Sequence, residues 1–192
     1  MDVDVFVPGF IRTSWPEFEI DSLCGPAPTW IERAGDLVVD GEINWSTPEC
    51  ANLGVDSFDV PPGTYPVFVG SDSYADRYFV RMVFIAFTTS DRLAAATWHG
   101  DEDGFLQIED YTCLWSETAE RHVGPEDLGR FKEAVLSAES LSRRGPWLDE
   151  VVEPGSGVNV MVFPVRDAGV SSIELLDEDD ERAGLLYYTW SP

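Results

Sequence analysis

The sequence is short of positive charge. Of its 192 residues only twelve are basic, and one of these alone, Lys132, is a lysine; thirty-six are acidic, leaving a net charge of −24. Binding the phosphates of bare nucleic acid needs clustered Lys and Arg, and an anionic membrane surface makes the same demand, so both are excluded as partners. A basic protein, or a multivalent cation, is the electrostatically natural partner. Cysteine is sparse as well. Cys24, Cys50 and Cys113 form no CxxC pair and cannot all pair within one chain, so reduced, buried thiols are expected. No apolar run reaches the roughly 20 residues of a membrane span. The opening Met1-Asp2-Val3-Asp4 is acidic where a signal peptide is basic, and cytoplasmic residence is the expectation. GxGxxG and GxxxxGK[ST] are both missing, which leaves no nucleotide-loop signature and no cofactor to expect.

What is present is an ordinary globular interior. At 44% hydrophobic and 12% aromatic, the chain carries enough apolar surface to fold despite its charge, most simply as one domain over 1–192. Its charge is uneven: −10 over residues 1–60, zero over 61–100, −8 over 101–150 and −6 over 151–192. The neutral stretch is the most apolar and marks the centre of the fold.

The patterning is mostly β. Val3 to Val7 and Trp15 to Ile20 alternate weakly. Asp36 to Val39 is a short apolar run closed by Asp40-Gly41, with Glu42 to Trp45 returning from it. Ser57 to Val60 and Tyr65 to Val69 flank Pro61-Pro62-Gly63-Thr64, where Pro62-Gly63 fits a type II turn with positive φ at the glycine. Pro66, with no amide to donate, belongs at an edge or a non-bonded position. Tyr78 to Thr89 is apolar on both faces and reads as a central strand. Arg92 to Trp98 reads as its partner across Ser90-Asp91, though Ala94-Ala95-Ala96 leaves helix as an alternative. Phe105 to Trp115 supplies one or two further strands. A helix is predicted over about 125–140, begun by Pro125, Glu126 and Asp127, with Leu128, Phe131, Val135 and Leu136 as its apolar stripe and Gly145-Pro146 beyond its end. Val158 to Val165, Val170 to Leu176 and Gly184 to Trp190 close the fold as strands.

Several constellations invite chemistry, and each has a plainer reading. His99 to Asp110 partly mimics a calcium loop around Asp101, Asp103 and Gly104, but its first position is His99 and its twelfth lacks the bidentate glutamate; a solvated hairpin turn is favoured. Asp177-Glu178-Asp179-Asp180-Glu181 packs five carboxylates into a turn, either a water-facing charge run or an acidic finger for a basic partner. Cys113 with Glu117, Glu120 and His122 matches neither a thiol-nucleophile arrangement nor the HExxH zinc spacing. Arg81, inside the most apolar strand, must reach solvent, pair with a buried acid or hold a ligand. The tryptophans at 15, 30, 45, 98, 115, 147 and 190 serve packing more naturally than a ligand platform.

Gly35-Asp36-Leu37-Val38-Val39-Asp40, then Val60-Pro61-Pro62-Gly63-Thr64-Tyr65-Pro66-Val67, then the apolar strand with Arg81 resemble a bacterial family catalogued as domain of unknown function 4241. Its pattern runs G-x-hydrophobic-hydrophobic-x-D, V-P-x-G-x-Y-P-V and an R-hydrophobic strand. The likeness covers residues 35–98; beyond Trp98 the chain lacks the Gly- and Asp-rich elements of that family. It implies a bacterial β-rich domain and assigns no catalytic residue.

The resulting expectation is an α+β fold: an antiparallel sheet or sandwich of roughly nine to eleven strands with one amphipathic helix. Its function is expected to be non-catalytic, an acidic immunity or inhibitor protein that neutralises a basic toxin or nuclease. Asp101, Glu102, Asp103 and Asp177, Glu178, Asp179, Asp180, Glu181 are the partner-binding candidates, and Arg81 the buried ion pair or ligand site. The alternative is an enzyme or small-ligand-binding β domain whose acidity only serves solubility.

Overall fold

The structure, a computed structural model, describes residues 1–15, 26–48, 56–100, 106–108, 110–166 and 168–190. Among these the chain is mostly antiparallel sheet with a smaller helical part, an α+β protein. A seven-stranded sheet has the path β1 (Trp30–Val39), β4 (Gly63–Tyr74), β5 (Arg77–Ala86), β12 (Arg182–Trp190), β11 (Ala168–Leu176), β6 (Thr97–Gly100), with β7 (Leu106–Ile108) also on β11. A five-stranded sheet runs β3 (Asp56–Asp59), β2 (Glu42–Ser46), β8 (Tyr111–Trp115), β10 (Val158–Pro164), β9 (Leu148–Glu153). The helices are α1 (Val3–Ser14), α2 (Ser90–Ala95), α3 (Glu117–His122), α4 (Pro125–Leu136) and α5 (Ala138–Leu141).

Three apolar clusters stack these elements in layers. On β5, Val83 and Ile85 face one cluster while Met82, Phe84 and Ala86 face another, which is the two-sided burial that its unbroken apolar run implies. The first cluster joins the two sheets: Leu37, Val67 and Leu185 of the large sheet meet Ile43, Leu114, Met161 and Phe163 of the small one. Trp45 stacks on Tyr187 across it, with ring centroids 4.7 Å apart. The second cluster places Val7 and Ile11 of α1 and Leu93 of α2 on the outer face of the large sheet. The third sets Ala119 of α3 with Phe131 and Val135 of α4 on the outer face of the small one, against Cys113, Trp115 and Val160.

Five helices, rather than one, are found among the described residues. Val3 to Val7 forms the start of α1 and not a strand. Asp2 caps it by accepting from the Asp4 amide at 3.0 Å, and Val7 and Ile11, four apart, turn to the core. The weak alternation of valine and aspartate concealed that stripe. Trp15 ends α1, and the remainder of the Trp15–Ile20 reading lies outside the described residues. Arg92 does not lie on a strand beside β5. It sits on α2, the helical alternative, and the short β6 that follows pairs with β11. The helix over 125–140 stops at Leu136, because Ser137 turns extended and its Oγ caps α5 by accepting from Ser140 N.

Both sequence-predicted turns near the centre prove to be crossings between sheets. At Asp40-Gly41 the chain leaves β1 for β2, with Gly41 at φ +145°. At Val60 to Pro62 it leaves β3 for β4, tied back by Val60 N donating to Gly41 O at 3.0 Å. Gly63 does not adopt the positive φ of a type II turn; it opens β4 opposite Val39. A Cβ there would meet the Tyr65 ring and hydroxyl at 2.9 Å, so a larger residue would displace the Tyr65 side chain. Pro66 pairs with Asp36 of β1, while the pairing of β4 with β5 begins at Val67, so its missing amide interrupts no bond to β5.

Candidate functional site: the acidic turn and its cleft

Asp177 to Glu181 connects β11 to β12, as the sequence implies, but it is a built turn and not a loose run of charge. Asp177 N donates to Glu181 O at 3.0 Å and Asp180 N to Asp177 O at 3.1 Å. The Asp177 side chain turns inward, only 5% exposed, and its Oδ1 accepts from Asp179 N at 3.0 Å and Glu181 N at 3.1 Å. Its Oδ2 is bound by the Arg92 guanidinium, which also reaches Glu181 Oε2 at 3.2 Å. Burial opposes ionisation of Asp177, yet the two backbone amides and Arg92 hold its carboxyl below the usual carboxylate range. Asp180 occupies the left-handed region at φ +59°, a conformation aspartate tolerates better than most residues. The result is a fixed loop from which Glu178, Asp179, Asp180 and Glu181 are all exposed.

Beside the turn lies an open cleft of about 390 Å³. Its half-buried members include Tyr65, Phe87 and Leu176, and exposed Asp59, Asp180 and Glu181 ring it. Tyr65 and Phe87 meet edge to face, with centroids 4.9 Å apart and rings at 84°. The Tyr65 hydroxyl donates to Pro61 O at 2.6 Å, and burial raises its pKa, so it stays a neutral phenol. Arg182 lines the same cleft with its donors engaged: Nε and Nη2 fork onto the two oxygens of Glu174, each at 3.1 Å, and Nη1 meets Asp59 O at 2.5 Å. A second concavity on the other flank of the turn is lined by Arg92, Ala95 and the carboxylates of 177–179 and 181.

Arg81 lies elsewhere, in an ion pair within the large sheet. Gly70 pairs with Met82 and Ser71 with Val80, which leaves Arg81 as the extra residue of a β-bulge. The bulge lets an arginine leave an otherwise apolar strand, and it pairs with Asp72 on β4. Asp72 Oδ1 also accepts from Thr29 N at 2.8 Å. Burial, which would raise the Asp72 pKa, is outweighed by the bonds from Thr29 and Arg81, and the carboxyl lies below its ordinary value.

Asp101, Glu102 and Asp103, with the calcium-loop reading built on them, lie outside the described residues. Cys113 is buried on β8; Cys24 and Cys50 lie outside the described residues. His122 sits exposed with Nδ1 2.8 Å from Thr118 O, and Glu117 pairs with Arg121. Among the described residues no group of three potential ligands is placed to hold a metal. Trp45 and Trp115 are core residues, and Trp147 donates to Ala34 O at 3.1 Å.

The cleft was missed in the sequence because its walls come from three separate stretches around 59–65, 87–92 and 174–182. Asp149 was missed too. Its Oδ1 accepts from Asn159 Nδ2 at 2.6 Å, while Asn159 Oδ1 accepts from Val38 N at 2.8 Å, tying β1 to the small sheet. A Cβ on Gly35 would stand only 2.6 Å from Asp149 Oδ2. Burial, and next the nearby charge of Asp36, raise its pKa against the opposing Asn159 bond.

No family model matches the chain, and no curated protein or solved structure matches it significantly.

Proposed function

We propose that this chain is a non-catalytic acidic interaction protein, an immunity or inhibitor protein that neutralises a basic toxin or nuclease by charge-complementary docking. The observation that supports this reading is the disposition of its few cations. Arg33, Arg81, Arg92, Arg121, Arg130, Arg144 and Arg182 are each held by a carboxylate of the same chain. Arg166 lies 4.1 Å over the Tyr74 ring and Lys132 5.5 Å from the Tyr111 ring centroid. These cations are thus largely occupied within the chain, and on the 177–181 turn four exposed carboxylates are displayed on a fixed frame. A fixed charged surface speeds encounter with an opposite one and costs little ordering on binding. Mimicry of nucleic acid by these carboxylates is a variant of the same reading.

The cleft beside the turn supports the second reading, a small-ligand-binding domain whose acidity serves solubility. Co-purification on the tagged protein from lysate of its source organism, at low and at high salt, separates the two. A basic protein retained at low salt, released at high salt and inhibited when bound supports the first. Recovery of no basic protein at low salt contradicts it.

A further inference from the structure

The cleft between the Pro61–Tyr65 corner and the 177–182 turn combines an aromatic interior with an anionic rim. Phe87 is held in place by its amide donating to Ala183 O at 2.9 Å, and Tyr65 by its hydroxyl bond to Pro61. The two arginines in the lining do not make this an anion site. Arg92 binds Asp177 and Glu181 through Nη2, and Arg182 binds Glu174 through Nε and Nη2 and Asp59 O through Nη1, so the charge of each is already answered by carboxylates of the same chain. An incoming anion would meet Asp59, Asp180 and Glu181 at the mouth. The chain already seats a guanidinium on an aromatic ring at this end of the fold, Arg182 at 4.9 Å from the Phe58 centroid.

We propose that this cleft is the socket for one arginine side chain of the basic partner, its stem over Phe87 and Leu176 and its guanidinium against Asp180 and Glu181. This rests on the reading of the chain as an acidic interaction protein. Charge complementarity selects the occupant: an aromatic face and a carboxylate together favour a cation over a neutral or apolar group. The aromatic interior favours arginine over lysine, whose compact ammonium is more strongly hydrated and stacks less well. Arginine is among the residues enriched as anchors at interface hot spots.

The test uses amide NMR of the whole chain with two probes, N-acetyl-arginine amide and a hexa-arginine peptide, at about 20 mM salt. The first is expected to shift the amides of Phe87, Thr88 and Leu176 ahead of all others. Asp180→Asn keeps a residue suited to positive φ, and Phe87→Leu keeps apolar volume; each should weaken N-acetyl-arginine amide about fivefold. N-acetyl-lysine amide should bind more weakly than the arginine probe. Hexa-arginine binding with no response at the cleft and no effect of either variant overturns the socket and leaves the acidic reading standing. Failure of hexa-arginine to bind at all overturns both.

Discussion

Arg92 on α2 and Asp177 at the end of β11 lie 85 residues apart in the chain and form one ion pair, in which the carboxylate is 5% exposed and the arginine 48%. The pair is the pin of the acidic turn. Without it, Asp177 keeps two backbone amides, and the turn loses its ion pairs to α2. Arg92→Ala is expected to leave the fold intact and to speed hydrogen exchange at the Asp179 and Glu181 amides roughly tenfold. Unchanged exchange would mean that the backbone bonds alone fix the loop.

Trp45 and Tyr187 join the two sheets through stacked rings, and both side chains are fully buried. Trp45→Ala should cost about 3–5 kcal/mol, measured by urea denaturation. Trp45 Nε1 has no hydrogen-bond partner among the described residues, so Trp45→Phe forfeits packing alone and should retain more of the stability.

The β4–β5 hairpin turns through Ala75 and Asp76, at φ 48° and 62°, closed by the pair Tyr74 and Arg77. A two-residue turn of this hand prefers Asn-Gly, and an alanine there is strained. Replacing the pair by Asn-Gly, as Ala75→Asn with Asp76→Gly, should stabilise the protein by about 1 kcal/mol. A lowered denaturation midpoint would contradict this.

Acid acts on two carboxylates with opposite signs. Asp72 is held below its ordinary value of 3.8, so its contribution is complete above that pH and is lost as pH falls through the lower folded value. Asp149 is raised above 3.8: it penalises the fold at neutral pH, and the penalty disappears as pH falls through its folded value. Asp149→Asn should therefore be more stable than the parent at pH 7 and lose that advantage below 3.8. Asp72→Asn should be less stable at pH 7, with the difference closing in stronger acid. Urea midpoints across this range check both.

Much of the interior was legible in the sequence because burial writes a period. The unbroken apolar run of β5, the stripe of Phe131 and Val135 on α4, and the turn at 177–181 all follow from local pattern. The N-terminal helix was hidden by its valines, which favour strands, and by Pro8 and Gly9 within it. Sheet membership was hidden for another reason. The corners at Gly41 and Val60–Pro62 carry ordinary turn residues, and whether a turn folds a hairpin or passes between layers depends on distant partners. The acidic turn was a candidate from charge alone, but Arg92, Tyr65 and Phe87 join it only through tertiary contacts. Arg81 stood out as a misfit, and only the paired register reveals the bulge that accommodates it.

The most direct test of the interaction reading is capture of a basic partner by the parent chain and by a variant with the outward carboxylates of the turn neutralised. Glu178→Gln, Asp179→Asn and Asp180→Asn together spare Asp177, Glu181 and the Arg92 pin. At about 20 mM salt the parent should retain a basic protein that the variant retains at least about tenfold less, with the difference collapsing near 0.5 M salt. Equal retention by both chains would contradict the account.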